Sequence, residues 1–349
     1  MEEIKSIGIS FELTLNLHAL NNEERRGNIT IPKTGYIIAD KQQYLVQVIS
    51  GGIIRHGIET YLRNTNISKC KGCKKSSSSR CSEDDEIINN KLAIERCGIC
   101  DIMGYMRTEG EVKEQNKEKN KNKQQDNKTK QQDNKTKQQD EENPNKEESQ
   151  KNFNRTSIMN VADALQIPHY SFTTGEYQLR IRRVDNAGSR EDDKSRNLDQ
   201  SIINIPSNSG VYAFVIFIDV DQLGKHEYSE DYFISSGERK SRLLCLIDSI
   251  YSFIMNPIGS HASSHLPNSQ IGRGVITVSK NHIPATIETP LEKNFNEIIK
   301  NIAEKIKQPY FEFNGKEECF KKFQELKEKI NKTEFTGKEI EEEQNVDNI

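Results

Sequence analysis

The chain has 349 residues, of which 33% are hydrophobic and 30% charged, and its formal net charge is -3. This length supports one large domain or two smaller ones, but the polarity is too high for one uniformly compact globule, so we expect part of the chain to be disordered. The sequence shows no apolar run of 18 residues and no hydrophobic N-terminal segment, so we expect neither a membrane span nor a secretory signal. Together with the absence of a disulfide pattern, this favours a cytoplasmic protein.

Two segments account for much of the polar excess. Residues 112–152 contain almost no apolar side chains and include a seven-residue unit in tandem, QQDNKTKQQDNKTKQQD. Because no position of this unit is apolar, a coiled-coil seam is missing, and we predict a disordered, solvated loop. Residues 332–349 carry six acidic and two basic side chains, and we predict a disordered acidic tail there.

Alternating hydrophobicity predicts several strands. Residues 7–17 are apolar at every odd position, which is typical of a half-buried strand with its polar face outward. Residues 177–184, YQLRIRRV, alternate in the same way after a turn. Residues 211–220, VYAFVIFIDV, are apolar on both faces and predict a central strand, and residues 274–279, GVITVS, predict a further one.

Helical spacing appears in four stretches outside these strands. They are residues 50–62, 239–255, 291–306 and 317–330. The interleaving of strands and helices predicts an α+β protein with helices on one face of a sheet.

The helix predicted at residues 50–62, SGGIIRHGIETYL, has the features of an anion site. Ser50 is a favourable N-cap, and two glycines after it allow close approach of a ligand to the backbone. Helix N-termini attract anions, and Arg55 and His56 add basic groups nearby. The alternative interpretation is an ordinary capped helix with a solvated row of charges.

Five of the seven cysteines lie between residues 70 and 100. CKGC contains Cys70 and Cys73, CGIC contains Cys97 and Cys100, and Cys81 lies between the two motifs. Two C-x2-C motifs can complete a tetrahedral zinc site, so we predict a structural zinc held by Cys70, Cys73, Cys97 and Cys100. Five cysteines compete for four positions, however, and free thiols are the alternative.

Basic side chains crowd the first cysteine motif and the polar side of the strand at Arg180 and Arg182. Such groups can line a phosphate backbone, although exposed basic rows are usually only solvated. The chain has no tryptophan, and its first strand has no aromatic residue on the polar face. We therefore do not expect bases to stack on an ordinary RNA-recognition sheet.

Five motifs occur in the order found in the DevR family of CRISPR-associated proteins. They are ISFELTLNLHALNNEERRGNIT, VISGGIIRHGIETYL, CGICDIMGYM, SGVYAFVIFIDVDQLG and GSHASSHLPNSQIGRGVITVS. The chain thus resembles the Cas seven backbone subunits of type I, Cascade-like effector complexes, and is most similar to the archaeal type I-A branch. The resemblance covers most of residues 4–310.

This resemblance implies a ferredoxin-like (RRM-like) core with inserted finger and thumb segments. Residues 1–331 would form this one domain, with a cysteine-rich insert at 63–106. The family resemblance further implies a subunit without enzymatic activity that serves antiviral defence. Its copies polymerise in a helical array along a CRISPR guide RNA that pairs with target DNA, beside other effector-complex subunits. Since such a subunit must accept any guide, it should contact phosphates and sugars and not base edges.

Candidate RNA contacts follow from the residues that match the family's motifs. The loop after the first strand supplies Asn21, Asn22, Arg25, Arg26 and Asn28, and the helix start supplies Ser50, Gly51, Gly52, Arg55 and His56. His261 and His265 stand where relatives carry a basic Arg or Lys, and the strand of Arg180 and Arg182 is expected in the thumb hairpin or, alternatively, in the plain sheet.

Two other functional classes remain open from the sequence. Asp219 and Asp221 end a buried strand, as do the metal-binding carboxylates of polymerase or cyclase palms, but a further carboxylate and a nucleotide-phosphate loop are not evident. A zinc-ribbon regulator is the second alternative, and it would carry its nucleic-acid affinity in the cysteine segment. The backbone-subunit hypothesis instead spreads the contacts over Arg25, Arg55 and the strand of Arg180.

Overall fold

The computed structural model describes residues 3–20, 22–26, 29–75, 80–84, 86–107, 153–170, 176–183, 200–227, 229–258 and 268–338. For residues 22–26, 29–30, 176–183 and 200–206, the backbone alone is described. The predictions made for Asn21, Asn28, His261, His265 and the loop at 112–152 lie outside the described residues.

The described chain is an α+β protein. Its strands are β1 (Ser6–His18), β2 (Asn22–Arg26), β3 (Ile29–Pro32), β4 (Thr34–Ala39), β5 (Gln42–Ile49), β6 (Tyr105–Arg107), β7 (Phe153–Arg155), β8 (Met159–Val161), β9 (Ala164–Gln166), β10 (Glu176–Arg183), β11 (Gln200–Asp219), β12 (Asn268–Ser279) and β13 (Tyr310–Asn314). Its α-helices are α1 (Gly51–Arg63), α2 (Lys71–Lys75), α3 (Asn90–Arg96), α4 (Gly98–Met103), α5 (Ser236–Met255), α6 (Phe295–Lys305) and α7 (Lys316–Lys332).

Two compact units divide the chain, where we predicted one domain. The first comprises Met1–Ile67, Ile158–Leu223 and Ser235–Ile349, and the second comprises Ser68–Ser157 and Gly224–Ile234. The second unit contains the five cysteines between residues 70 and 100. None of the described helices has the length and apolar character that crossing a membrane requires.

A large, mostly antiparallel sheet forms the centre of the first unit. Its strand order is β13-β12-β1-β11-β9-β5-β4, and β8 also pairs with β11. The central position predicted for residues 211–220 is confirmed, because this part of β11 pairs with β1 on one side and with β8 and β9 on the other. Phe11 and Phe214 stack across the central pair with ring centroids 4.9 Å apart.

Strand β1 is buried on both faces, so the prediction of an outward polar face is wrong. A chain segment around residues 285–288 covers that face: Ala285 N donates to Ser6 Oγ at 2.9 Å and Glu288 N donates to Ser10 Oγ at 3.4 Å. Farther along the strand, Glu12 forms an ion pair with Arg273 at 2.5 Å. Polar side chains are tolerated here because each has a partner.

The helices pack on one another as well as on the sheet. Helix α1 packs closely on α5, where Gly57 leaves room for the Phe253 ring, and α5 packs on α7. Helix α6 packs against Val275 of β12 through Phe295 and Ile299.

The chain after α7 folds back onto the first unit. Phe335 is buried with the Arg239 guanidinium 5.5 Å from its ring centroid, and Arg239 Nη1 donates to Thr336 O at 2.6 Å. Arg239 also donates to the Leu223 and Val220 carbonyls, which fixes the turn after β11. The prediction of a disordered tail from residue 332 is therefore wrong for residues 332–338.

Short elements surround a buried ion pair in the second unit. Arg155 Nη2 lies 2.5 Å from Asp101 Oδ1, and both side chains are almost fully buried. Arg155 also donates to the carbonyls of Asp101 and Lys225, and Asp101 accepts from Gly224 N at 3.3 Å. These bonds satisfy both charges, as a buried pair requires, and they tie residues 224–225 to α4.

Candidate nucleic-acid interface and cysteine cluster

The start of α1 has the predicted cap, but part of its anion-binding capacity is already used. Ser50 is extended, and its hydroxyl accepts from Ile53 N at 3.4 Å. Asp163 Oδ1 accepts from Gly51 N at 2.8 Å, and Lys33 forms an ion pair with Asp163 at 3.2 Å. An internal carboxylate therefore occupies the first backbone donor of α1.

The two glycines at this helix start have different environments. A Cβ atom on Gly51 would lie 2.4 Å from Val161 O, so Gly51 is needed for packing against β8. A Cβ on Gly52 would meet Ser50 Oγ only at 4.0 Å. Gly52 is exposed, and it is the one of the pair that leaves space for a ligand.

An open cleft of about 440 Å³ adjoins this helix start. Its walls include Gly51, Gly52 and Arg55 from α1, together with the strand segment 159–162 and Phe217 of β11. His56 is exposed on the same turn of the helix. The cleft thus combines one basic side chain with an apolar surface on the central strand of the sheet.

Three segments that are distant in sequence come together in a β-arm, which we define as β2, β3, β10 and residues 200–207 of β11. In this arm β2 pairs with β3, β3 meets β11 at Asn204, and β10 pairs antiparallel with residues 200–207. Leu179 is opposite the same Asn204. The backbone register therefore brings the segments of Arg25–Arg26 and Arg180–Arg182 to one part of the sheet, and residues 22–26 form a strand where we predicted a loop.

A buried polar network fixes the base of this arm. His18 Nε2 lies 2.7 Å from Tyr212 Oη, which donates to Gln47 Oε1 at 3.1 Å, and Gln47 Nε2 donates to Asn208 Oδ1 at 2.7 Å. Leu20 N donates to His18 Nδ1 at 3.3 Å, so the proton of a neutral ring lies on Nε2. Burial lowers the pKa of His18 to about 3, which keeps the ring neutral.

The two aspartates considered for a palm-type metal site line the same cleft of about 240 Å³, together with Lys5 and His282. Asp221 also forms an ion pair with Lys5 at 2.6 Å. A lysine ammonium beside Asp221 competes with a divalent metal for the same carboxylate. In the described ranges, the groups of three or more potential metal ligands consist of cysteines alone.

Four buried cysteine sulfurs lie within 4.8 Å of one another, as a structural zinc requires. They belong to Cys70, Cys81, Cys97 and Cys100. Zinc–sulfur bonds of about 2.3 Å place the corners of a tetrahedron about 3.8 Å apart, so one ion fits. The predicted ligand Cys73 lies beside this group, with its sulfur 3.5 Å from Cys100 Sγ and 3.7 Å from Cys97 Sγ.

Local backbone geometry prepares these sulfurs for a metal. In each C-x2-C motif the second cysteine's N–H donates to the first cysteine's sulfur, at 3.3 Å for Cys73 and 3.4 Å for Cys100. Hydrogen bonds from Cys100 and Cys73 lower the pKa of the Cys70 thiol to about 4, and those from Cys100 and Cys70 lower the pKa of Cys97, whereas the hydrogen bond from Cys70 raises the pKa of Cys100. Thiolates are the zinc-binding form.

The basic residues around the first cysteine motif are partly neutralised. Lys71 forms an ion pair with Glu86, and Arg96 Nη1 lies 3.8 Å from the same carboxylate. Lys71 N also donates to Asp84 Oδ2 at 2.8 Å. The sequence therefore overstates the positive charge of this segment, since Asp84 and Glu86 both contact Lys71.

Sequence reasoning missed Asp163, Asn160 and Phe217 at the start of α1. No local pattern connects β8 with residues 50–55, because they are more than 100 residues apart. Asp is a common N-cap residue. Asp163 lies between β8 and β9, however, and it caps α1, which is distant in sequence.

The chain matches the family described as the CRISPR-associated negative auto-regulator DevR/Csa2 over residues 9–300. It therefore belongs to the DevR/Csa2 family of CRISPR-associated proteins, and the resemblance seen in its motifs is confirmed. A search among curated proteins finds no matching relative.

Similar solved structures come from CRISPR complexes. One is described as a CRISPR RNA-guided surveillance complex, with a TM-score of 0.36 and 12% identity over 87% of this chain and 88% of that chain. Another, the same kind of complex before nicking, gives 0.42 and 11% over 88% and 90%. A Csm3-Csm4 subcomplex of the type III-A interference complex gives 0.33 and 9% over 95% and 98%.

Proposed function

We propose that this protein is a CRISPR RNA-binding backbone subunit that polymerises along a guide RNA in a type I interference complex. It holds the phosphate backbone without reading the sequence, and it catalyses no reaction itself. Membership of a CRISPR-associated family supports this setting. The observation that carries the proposal is the cleft at the start of α1, in which Arg55 lies beside a glycine helix start.

The order of elements supports a ferredoxin-like core within the first unit. Strand β1, helix α1, strands β8 and β9, strand β11, helix α5 and strand β12 follow one another as βαββαβ. In the sheet they lie in the order β12, β1, β11 and then β8 or β9, with antiparallel neighbours. The β-arm is a candidate for the thumb, and the cysteine-containing second unit for the finger segment.

Two basic regions then divide the RNA contacts. Arg55, Gly52 and His56 hold the backbone at the cleft, while the β-arm contributes the strands of Arg25 and Arg180. The other RNA contacts of this proposal are Asn21, Asn22, Arg26, Asn28, Ser50, Gly51, Arg182, His261 and His265. Phosphate contacts of this kind position a strand without specifying its bases.

Charge reversal at the cleft tests the proposal. Arg55→Glu should weaken guide RNA binding by about tenfold or more. Because one phosphate contact is lost, the slope of log K against log salt concentration should become shallower by about 0.7, the value per contact for single strands. Lys321→Glu is the charge-matched control, because Lys321 is exposed on α7 and pairs with Glu317. Fluorescence anisotropy with a labelled guide RNA gives both quantities.

The same assay separates the zinc-ribbon alternative. If Cys97→Ser abolished RNA binding while Arg55→Glu left it unchanged, the backbone-subunit proposal would be contradicted.

Natively purified protein should also contain short RNAs that share one constant end. Metal-dependent turnover of nucleotides or RNA that Asp219→Ala abolished would instead identify an enzyme.

A further inference from the structure

Cys73 and Cys81 both lie next to the same three sulfurs. Cys81 belongs to the group in which all sulfurs are within 4.8 Å, together with Cys70, Cys97 and Cys100. Cys73 Sγ is 3.5 Å from Cys100 Sγ and 3.7 Å from Cys97 Sγ, and its thiol hydrogen-bonds with Cys70. Since Cys73 contacts these three sulfurs and is nevertheless outside the mutual group, we infer that its sulfur lies farther from that of Cys81 than from the other three.

This pattern defines a geometry. Two atoms that each contact all three corners of a triangle, but not each other, lie on opposite sides of the triangle. The triangle here consists of Cys70, Cys97 and Cys100. Either outer sulfur completes a tetrahedron whose edge is about 3.8 Å for zinc, and the two measured distances of Cys73 agree with that edge.

We propose that the cysteine cluster is a zinc site with three constant ligands, Cys70, Cys97 and Cys100, and two alternative fourth ligands, Cys73 and Cys81. One ion binds on either side of the shared triangle, and the unused thiol stays beside it. With zinc–sulfur bonds of about 2.3 Å, the two ion positions are only about 1.5 Å apart. One ion therefore excludes a second, and exchange between the ligands needs only a small displacement.

Both alternative ligands are held in place by the fold. Cys73 N donates to Cys70 Sγ, and Cys81 N donates to Cys100 Sγ, each at 3.3 Å. Both side chains are buried. Gly72 has no room for a Cβ, which would lie 1.9 Å from Arg80 O, so the backbone before Cys81 packs directly on the first C-x2-C motif.

Single and double substitutions in the full chain test the proposal. Cys73→Ser and Cys81→Ser should each retain one zinc per chain, and each cobalt(II)-loaded variant should retain the thiolate charge-transfer intensity of a four-sulfur site. The Cys73→Ser/Cys81→Ser double variant and Cys97→Ser should both lose that four-sulfur signature. If either single variant lost it while the other kept it, a fixed ligand set would replace the proposal, and loss in both would equally overturn it.

Alkylation of the unmodified protein avoids any dependence on how the variants fold. With zinc bound, prolonged iodoacetamide treatment followed by mass spectrometry should label Cys73 and Cys81 each in a fraction of the molecules, while Cys70, Cys97 and Cys100 stay protected. Labelling confined to one of the two outer cysteines would contradict the alternation.

Discussion

At the scale of single residues, burial decides the protonation state of His18. The ring lies between strands β1 and β11, and its two nitrogens take part in a chain of hydrogen bonds that reaches Asn208. Asn208 directly follows residues 200–207, the part of β11 that belongs to the β-arm. The neutral histidine therefore contributes to the position of a proposed RNA-binding element, although it is too buried to contact RNA itself.

His18 should make the fold sensitive to acid. Its folded-state pKa of about 3 is below the value of about 6.5 in an unfolded chain, so the unfolded state binds the proton first. Its stabilising contribution is complete above about pH 6.5 and is lost as the pH falls towards 3, at about 1.4 kcal/mol per pH unit. Urea unfolding between pH 7.5 and 5 measures the free energy of unfolding over this range.

A non-titrating variant isolates this effect. His18→Gln keeps an amide that can donate to Tyr212, and it should show a shallower loss of stability between pH 6.5 and 5 than the unmodified chain. Comparing slopes, and not absolute stabilities, removes the effect of imperfect packing. Equal slopes for the two proteins would rule out His18 as the titrating group.

At the scale of elements, α1 shows how one helix combines packing and binding roles. Its buried side includes Gly57 against Phe253, and Glu59 pairs with Arg63 at 2.7 Å with both side chains largely buried. The charged side chains of Glu59 and Arg63 are therefore not fully solvated, as the alternative interpretation of this helix required. Its N-terminal turn faces the cleft with Gly52 and Arg55.

The two glycines at the start of α1 provide a matched pair of substitutions. Gly51→Ala should lower the free energy of unfolding by about 1–3 kcal/mol, because the new methyl group would collide with Val161 O. Gly52→Ala should be neutral or stabilise by up to about 1 kcal/mol, since alanine favours helix and the site is open. Urea unfolding of both variants measures the difference, and equal effects would contradict the packing role of Gly51.

At the scale of the whole molecule, the two compact units differ in what stabilises them. The first has a long central sheet covered on both faces. The second contains helices of five, seven and six residues, which are too short to be stable on their own. Its cysteine cluster and the Arg155–Asp101 pair hold these short elements together, so we expect its stability to depend on metal.

Metal removal should therefore act on one unit. A strong zinc chelator should abolish hydrogen-exchange protection of backbone amides in residues 70–104, because metal binding and folding are coupled in such sites. Amides in β1 and in residues 211–219 should keep their protection. Cys97→Ser should reproduce the pattern without chelator, and unchanged protection of residues 70–104 in both experiments would contradict a structural metal site.

Features that depend on neighbouring residues could be predicted from the amino-acid sequence alone. Helical spacing located α1, α5, α6 and α7 to within a few residues, and alternation located β1 and β10. Apolar segments located the later parts of β11 and β12, and the motif order identified the family. The cysteine motifs predicted the metal-binding region, and Ser50 was recognised as a cap. Periodicity and capping are local properties, so they can be read without knowing the fold.

Contacts between groups that are distant in sequence could be identified only from the folded chain. The polar face of β1 is buried because residues near 285 cover it, and Gly51 N donates to Asp163, which lies between β8 and β9. Cys81 joins the sulfur cluster because the chain folds back over Gly72. These outcomes depend on long-range packing that no local pattern encodes, whereas the character of each segment follows from its own side chains.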